Sequence, residues 1–239
     1  MRWHGIPWCT PESKVFKGTM NGRHVAIREI DVESVGISKD GLLLFQQSVA
    51  ALLQLTHPNV AALLTASDDF GACTTPCLLY GYMQTTLFSE LYPRLWGTKG
   101  TESGTKLPLD AAKKRQYTEE VAAGLSYLHS RQPAIAHCRL TPRNVMIDDD
   151  GRCKIVDVGM ELLQQSSSSP TDVVSSTTAT TDIAAAAAAD HSWPPWLQAY
   201  TAPEVLCAGT YQWGKSDDAR ALDVYAFGIL AIEIASGQL

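Results

Sequence analysis

The chain has 239 residues, and 19 basic against 25 acidic side chains give it a formal net charge of −6 at pH 7. This balance excludes an overall basic nucleic-acid-binding protein. Apolar residues make up 45% of the chain and charged residues 18%, which is too apolar for a wholly disordered protein. The length lies between one and two ordinary domains of about 100–200 residues, so a large core is possible.

Six cysteines are scattered along the chain, and only Cys73 and Cys77 are close together. Because no second pair stands at zinc-ligand spacing, we expect thiols in a reducing compartment, with a metal site or a disulfide framework as the alternatives. The first residues lack the apolar run of a secretory signal. The most apolar stretch, 224–235, is shorter than the ~20 residues of a membrane span and contains Glu233. These features predict a cytoplasmic protein without a membrane segment.

The first 95 residues are rich in predicted strands. Asn21-Gly22 is a strong hairpin signal, because both residues tolerate positive φ. A helix is predicted over 42–55, ended by Pro58, and a short helix over 87–95. Strands are predicted at 15–18, 24–30, 60–64 and 77–82. The apolar face of the first helix carries Phe45, Val49, Leu52 and Leu53.

The rest of the chain is mainly helical by pattern. Asp110 is placed to cap a long amphipathic helix that runs to His129. Short strands at 145–147 and 153–156 flank a turn, and an apolar helix follows at 223–236. The inner face of the long helix carries Tyr117, Val121, Leu125 and Leu128. The element order predicts an α+β protein with two lobes.

Two regions have no such pattern. Residues 97–107 are rich in Gly, Thr and Ser and are predicted to form a loop. Residues 164–190 are of low complexity, with a Ser/Thr tract followed by Ala184–Ala189. Such a stretch has little to bury, and we expect a mobile insertion there.

Several short motifs stand in a fixed order along the chain. The stretch H-C-R-L-T-P-R-N covers residues 137–144, and Asp157-Val158-Gly159 follows it. Val25-Ala26-Ile27-Arg28 precedes them, and Ala202-Pro203-Glu204 comes after. Together these resemble the H-R-D-L-x-x-x-N, D-F-G, V-A-I-K and A-P-E motifs of the protein kinases. Each is weak alone, since His137 on its own is as well explained as a plain buried histidine, but the ordered set is specific.

The resemblance implies a two-lobed protein-kinase-like fold. It assigns residues 1–83 to a β-rich N-lobe and residues 84–239 to a partial C-lobe, with the low-complexity activation-segment insertion at 164–190. Asp223 begins what resembles the central helix of the C-lobe. By resemblance further helices follow that helix, so we expect the C-lobe to be truncated and an apolar face to be exposed. The pattern is nearest to tyrosine-kinase-like and receptor-type pseudokinases.

The resemblance also shows which catalytic parts are replaced. Arg139 stands where the family has its catalytic Asp, and a guanidinium cannot accept the proton of a substrate hydroxyl. Cys138 replaces the Arg that pairs with an activation-loop phosphate, and Thr141 replaces a cation. No catalytic residue is therefore assigned, and His137 is expected to be structural.

The nucleotide-binding parts are altered as well. Arg28 replaces the phosphate-binding lysine, and Ser48 stands where its glutamate partner is expected. The three glycine positions of the phosphate-covering loop hold Trp8, Thr10 and Ser13. A loop without glycine cannot bring its backbone as close to phosphates.

Two polar residues match the family's metal-binding pair. Asn144 and Asp157 offer the hard oxygens that suit Mg²⁺, although they are equally explained by hydrogen bonds to loop backbone. Tyr80 falls at the gatekeeper position, and Tyr82 and Met83 at the hinge. By resemblance the cofactors would be ATP and Mg²⁺, contacted by these hinge and metal residues together with Arg28.

Loss of chemical groups alongside retained architecture predicts a pseudokinase. It would act as a signalling scaffold or allosteric module on a protein partner, such as another kinase or signalling protein. One alternative is a weakly active Mg-ATP-dependent kinase of the Ser/Thr or Tyr type. The other is a partial product that does not fold alone.

Overall fold

The computed structural model describes residues 13–30, 49–67, 77–93, 109–159, 198–208 and 216–237. The predictions for Trp8, Thr10, Phe45, Ser48, 97–107 and 164–190 lie outside these ranges, as does the side chain of Ser13.

A four-stranded antiparallel sheet forms the first part of the protein, with strand order β1-β2-β4-β3. Its strands are β1 Ser13–Met20, β2 Arg23–Ile30, β3 Leu63–Ala66 and β4 Cys77–Gly81. The predicted hairpin is confirmed, since Met20 pairs with Arg23 across Asn21 and Gly22, whose φ values are 51° and 76°. β2 therefore lies in the sheet interior, between β1 and β4.

The second part combines helices with a small three-stranded sheet of order β5-β6-β7. Its strands are β5 Thr85–Thr86, β6 Val145–Ile147 and β7 Cys153–Ile155. Its helices are α1 Leu87–Leu91, α2 Ala111–His129, α3 Pro203–Ala208 and α4 Ser216–Ser236. The α+β prediction with a sheet-rich first half and a helical second half is confirmed.

Helix α2 follows its sequence pattern closely. The side chain of Asp110 accepts a hydrogen bond from Lys113 N at 2.7 Å and caps the helix as predicted. The four predicted inner residues are all buried, and α2 packs against both α4 and β7. The helix thereby becomes the link between the small sheet and the last helix.

The segment after the first helical turn differs from its prediction. The strand predicted at 60–64 is found at Leu63–Ala66, and Val60 instead forms an isolated parallel bridge with Ile155. Ile155 N donates to Asn59 O at 2.9 Å, and Ala61 N donates to Ile155 O at 2.8 Å. The backbone of this segment is thus satisfied by β7 of the second sheet, which sequence periodicity does not reveal.

The helical face predicted for residues 42–55 was wrong at one position. Leu53 is 44% exposed, whereas Leu55 is 6% exposed and belongs to the core. Residues 49–52 are helical and a turn follows at once. The helix therefore ends at Leu52, so Leu53 does not continue its buried face. The turn that follows places Leu55 in the core instead.

Helix α4 buries one side and exposes the other. Leu230 and Ile234 are fully buried, whereas Val224 and Ile232 are 63% and 64% exposed. The expected exposed apolar face is thus present. The helix also begins at Ser216, earlier than predicted, because no helix-breaking residue separates Ser216 from Asp223. In the described part of the chain, no helix has the length and apolarity needed to cross a bilayer.

Two helical glycines lead to a first prediction, because the same substitution should have opposite effects. A Cβ on Gly124 of α2 would lie 2.7 Å from Asn59 O and 2.9 Å from Ile155 Cδ1, whereas a Cβ on Gly228 of α4 meets nothing within 4 Å. We expect Gly124→Ala to destabilise by about 1–3 kcal/mol through overpacking. Gly228→Ala, the matched control, should stabilise by about 0.5–1 kcal/mol through helix propensity. Urea denaturation measures both, and equal signs would contradict the close approach of α2 to Asn59.

Candidate active site

A buried carboxylate of α4 holds the 137–144 loop in place. Asp223 is fully buried, and it accepts hydrogen bonds from His137 N at 2.8 Å and Cys138 N at 2.7 Å. His129 Nε2 of α2 lies 2.7 Å from the same carboxylate. Cys138 has a φ of 62°, a left-handed conformation that costs a non-glycine residue energy. The Asp223 carboxylate compensates that cost by accepting the Cys138 N–H.

His137 supports the loop from inside. It is 1% exposed, its Nδ1 accepts from Arg139 N at 3.2 Å, and Nε2 lies 2.8 Å from Val156 O. Since Nδ1 accepts, Nε2 carries the proton and donates to the carbonyl. Burial lowers the pKa of His137, so the ring is neutral when both hydrogen bonds are made. This geometry supports the structural role expected for it.

Asn144 is engaged by the same loop. Its side-chain Nδ2 donates to Arg139 O at 2.8 Å, and its backbone O accepts from Val156 N at 3.0 Å. The side chain thus closes the loop over residues 139–144, and the backbone carbonyl joins the loop to the stretch that leads to Asp157. This matches the alternative in which Asn144 braces backbone.

Asp157 pairs directly with Arg28. Arg28 Nη1 of β2 donates to Asp157 Oδ1, and the two residues are 2% and 8% exposed. Asp157 has a φ of 65°, so its backbone also takes a left-handed conformation. A buried cation and a buried anion from opposite lobes therefore neutralise each other, across 129 positions of sequence.

In this structure the two predicted site residues bind each other rather than a nucleotide and its metal ion. Sequence reasoning placed Arg28 on a nucleotide phosphate and Asp157 on Mg²⁺, and the structure joins them to each other. A buried carboxylate that is matched by a guanidinium has little remaining attraction for a second cation. A metal ion at Asp157 would have to displace Arg28 or lie beside its positive charge.

The turn after Asp157 is packed against residues 49–55. Gly159 has a φ of 78°, and a Cβ there would lie 3.1 Å from Leu52 Cδ2. Val158 is buried and borders a cavity of about 10 Å³, the space of roughly one water. The cavity is lined by Leu52, Leu55, Ala61, Leu63, Tyr80, Asp157 and Val158. The turn is therefore held against residues 49–55 by apolar packing.

The predicted gatekeeper lies at the back of this site. Tyr80 of β4 pairs with Ala26 and is 6% exposed. Burial raises the pKa of Tyr80 to about 12, although the nearby Arg28 charge acts in the opposite direction. Its hydroxyl consequently keeps its proton beside the ion pair.

The two hinge residues differ in their surroundings. The ring of Tyr82 has Lys17 Nζ 4.3 Å from its centroid and His24 at its edge, with centroids 6.2 Å apart. The backbone N–H of Tyr82 donates to His24 O at 3.3 Å. Met83 is 8% exposed and joins the core. Tyr82 is thus attached to the β1–β2 hairpin, and Met83 points inward.

Asp148 is held by the turn that follows β6 and does not face the buried ion pair. Asp148 accepts from Asp150 N at 3.0 Å and Arg152 N at 2.9 Å, which fixes the turn between β6 and β7. Among the residues that the structure describes, no three His, Cys, Asp or Glu side chains gather as a metal-binding group. The described side chains of Cys77, Cys138 and Cys153 are thiols rather than disulfides.

Sequence reasoning missed one polar cluster near the loop. Glu233 of α4 is 2% exposed, and it accepts hydrogen bonds from the hydroxyls of Tyr92 and Tyr200. The available signal was a lone carboxylate inside an apolar helix, because such a charge is buried only with partners. Its partners could not be named, since both lie far away in sequence.

A family model described as a protein kinase domain matches residues 12–239. The chain belongs to the protein kinase family. It is 27% identical over 229 residues to the probable serine/threonine-protein kinase drkA of Dictyostelium discoideum, covering 94% of this chain and 28% of the relative. The receptor-interacting serine/threonine-protein kinase 3 of Rattus norvegicus is 28% identical over 230 residues, with coverages of 93% and 39%. The chain therefore spans well under half the length of these relatives.

A solved structure has the same fold. The pseudokinase domain of BIR2, described as an immune regulator of the RLK/Pelle family, superposes with a TM-score of 0.64 at 22% identity. The match covers 98% of this chain and 59% of that one. At this identity the likeness establishes the protein-kinase fold, which agrees with the sheet order and the Asp223-anchored loop described above.

Proposed function

We propose that this kinase-domain chain is a pseudokinase that does not use Mg-ATP and acts by binding other proteins. The observation that carries the proposal is the buried Arg28–Asp157 ion pair. It occupies the two residues that would otherwise contact a nucleotide phosphate and its metal ion. The remaining parts of the site point the same way.

The residue at the base position supports this proposal. Arg139 is partly buried in a loop whose backbone is held by His137 and Asn144. A guanidinium stays protonated at neutral pH and offers no acceptor for a hydroxyl proton. Its positive charge also opposes a metal ion at the neighbouring position.

The described residues do not fit Mg-ATP in this arrangement. Asp157, the only carboxylate of the predicted metal-binding pair, is neutralised by Arg28. Mg²⁺ prefers near-ideal octahedral geometry and is usually bound through one or two carboxylates. A carboxylate whose negative charge is already neutralised by a guanidinium attracts it little. No phosphoryl-transfer step is therefore assigned to these residues.

Contacts between the two parts of the fold support a binding module of fixed shape. Thr56 N donates to Tyr127 OH at 2.9 Å, and His57 stacks on Tyr127 with centroids 4.8 Å apart. The bridge between Val60 and Ile155 adds backbone hydrogen bonds at the same junction. A protein partner such as another kinase or a signalling protein would meet one preformed surface, which lowers the entropic cost of binding.

Thermal unfolding with and without excess Mg-ATP tests the proposal. A ligand at 100 times its Kd stabilises the native state by about 2.7 kcal/mol, which for a chain of this size raises Tm by about 5–11 °C. We expect no such shift, with an active kinase as the positive control. A metal-dependent shift that Asn144→Ala abolishes would overturn the proposal and favour a weakly active Mg-ATP-dependent kinase.

A further inference from the structure

The β1–β2 hairpin carries positive charge in a protein whose formal net charge is −6. Lys14, Lys17, Arg23 and His24 are all exposed, and the partly buried Glu29 is the one carboxylate within residues 13–30. With His24 counted as neutral, three exposed positive charges stand against one negative charge on this hairpin. This local balance is the reverse of that of the whole chain.

Within the described ranges, no carboxylate pairs with these exposed cations. Elsewhere the basic residues are matched, as in β7, where Lys154 Nζ lies 3.6 Å from Asp148 Oδ2. Lys17 and Arg23 form no ion pair with any described residue. A surface cation without a neighbouring carboxylate keeps its attraction for an anion on another molecule.

Two of the basic side chains lie on the same face of the sheet as Arg28. Side chains alternate along a strand, so His24, Ala26 and Arg28 of β2 share one face. Lys17 is the β1 partner of Ala26 and belongs to that face as well. Because Arg28 pairs with Asp157, Lys17 and His24 are on the side of the hairpin that faces the candidate site.

The ring of Tyr82 holds these two basic side chains together. Lys17 Nζ lies 4.3 Å from the ring centroid, and the His24 ring meets its edge with centroids 6.2 Å apart. A cation above an aromatic ring keeps N–H groups for a further acceptor, while the contact limits its rotamers. The His24 side chain makes no hydrogen bond to a described residue. The conformational cost of binding a partner is lowered by this arrangement.

The strands that carry these side chains are fixed in place. β1 and β2 pair in one register along their whole length, and β2 pairs with β4 on its other side. Val15, Val25 and Ala26 are 3%, 1% and 2% exposed, so the hairpin is anchored in the core. A rigid backbone presents exposed charges at fixed positions, which favours recognition.

We propose that Lys17, Arg23, His24 and the Tyr82 ring, which we call the basic tip, bind an acidic segment of a partner protein. Asp and Glu carboxylates of that segment accept hydrogen bonds from the Lys17 ammonium and the Arg23 guanidinium. The negative charge of the rest of the chain repels such a segment elsewhere and directs it to the tip. The inference rests on the proposed function, because it names the chemistry of the protein partner.

Fluorescence anisotropy with a labelled decaglutamate peptide tests the basic tip. We expect saturable binding that weakens as NaCl rises from about 50 to 500 mM, because salt screens exposed charges. Lys17→Glu combined with Arg23→Glu should weaken binding about tenfold or more. Arg115→Glu combined with Arg131→Glu, at exposed positions in α2 and just after it, changes the net charge equally. This matched control should weaken binding by less than about threefold.

Three results would overturn the inference. One is an equal loss of affinity in both double variants, which would show an effect of net charge alone. Another is equal binding of a decaglutamine peptide, and the third is tighter binding of a single-stranded oligonucleotide, which would assign the tip to nucleic acid. If the charge-reversed variant did not unfold cooperatively in urea, Lys17→Gln with Arg23→Gln would replace it, with a loss of affinity expected in the same direction.

The outcome is separable from that of the Mg-ATP measurement. If neither decaglutamate binding nor a Mg-ATP shift were found, the basic tip would be wrong and the proposed function would stand. If decaglutamate bound at the tip and Mg-ATP gave a shift that Asn144→Ala abolishes, the proposed function would be wrong and the basic tip would stand.

Discussion

Replacing Asp157 by alanine is expected to lower the free energy of unfolding by about 3–5 kcal/mol, the usual cost of breaking a buried ion pair. The change removes the carboxylate that faces the Arg28 guanidinium, which is 2% exposed and cannot lose its charge. For a chain of this size the loss corresponds to a Tm decrease of about 6–20 °C. Thermal and urea denaturation of the purified protein measure the effect.

Two control variants separate the buried pair from a general effect of removing charge. Asp150→Ala breaks the pair between Arg152 and Asp150 on the surface, and it should cost no more than about 1 kcal/mol. Arg28→Met combined with Asp157→Asn removes both buried charges, and Asn tolerates the positive φ of 65° at that position. The double variant should recover most of the stability. If Asp157→Ala were neutral, the carboxylate would be available for a metal ion and the proposed function would fail.

Asp223→Ala is expected to destabilise the protein by about 4 kcal/mol or more. Asp223 accepts two backbone N–H groups from the 137–144 loop, and hydrogen bonds to a charged acceptor are worth about 1.5–3 kcal/mol each. Without the carboxylate these N–H groups stay buried without an acceptor, and the left-handed conformation of Cys138 loses its support. Urea denaturation gives the free energy.

Asp223→Asn serves as the isosteric comparison. The carbonyl oxygen of the new asparagine can accept a hydrogen bond from one of the two loop N–H groups. Its NH₂ group would face the other N–H, and two donors cannot bond to each other. We therefore expect a loss smaller than that of alanine but well above that of a surface substitution. Equal stability of both variants and the original protein would mean that the loop does not depend on α4 for its conformation.

Local features of this fold follow directly from the sequence. Asn21-Gly22 specified the hairpin, and Asp110 with the apolar period of α2 specified that helix and its buried face. These elements depend on the φ preferences and hydrogen bonds of residues a few positions apart, so the local amino-acid sequence is enough to predict them. The predicted start of β3 was wrong, because a distant segment pairs with the residues in question. Val60, predicted to begin that strand, instead forms a bridge with Ile155 of β7.

The sequence was enough to predict which residues form the candidate site, but not which contacts they make with one another. The motif order indicated the loop at 137–144 and the replacement of the base by Arg139, and the family comparison confirms the kinase domain. The motif could not show that Asn144 braces the loop, or that a buried carboxylate at Glu233 collects two tyrosines. The contacts of Glu233 join residues that are 33 and 141 positions apart, and the hydrogen bond of Asn144 depends on how the loop itself is folded.

The sequence by itself therefore determined which chemical groups this protein has and which it has lost. Only the tertiary structure decided what those groups bind. Arg28 and Asp157 were each assigned a separate ligand by their motifs, and the fold brings them together across 129 positions in a buried site. There a carboxylate and a guanidinium are more stable paired with each other than exposed singly. Which charges meet is set by the packing of the β2 strand against the turn after β7, and no local pattern records it.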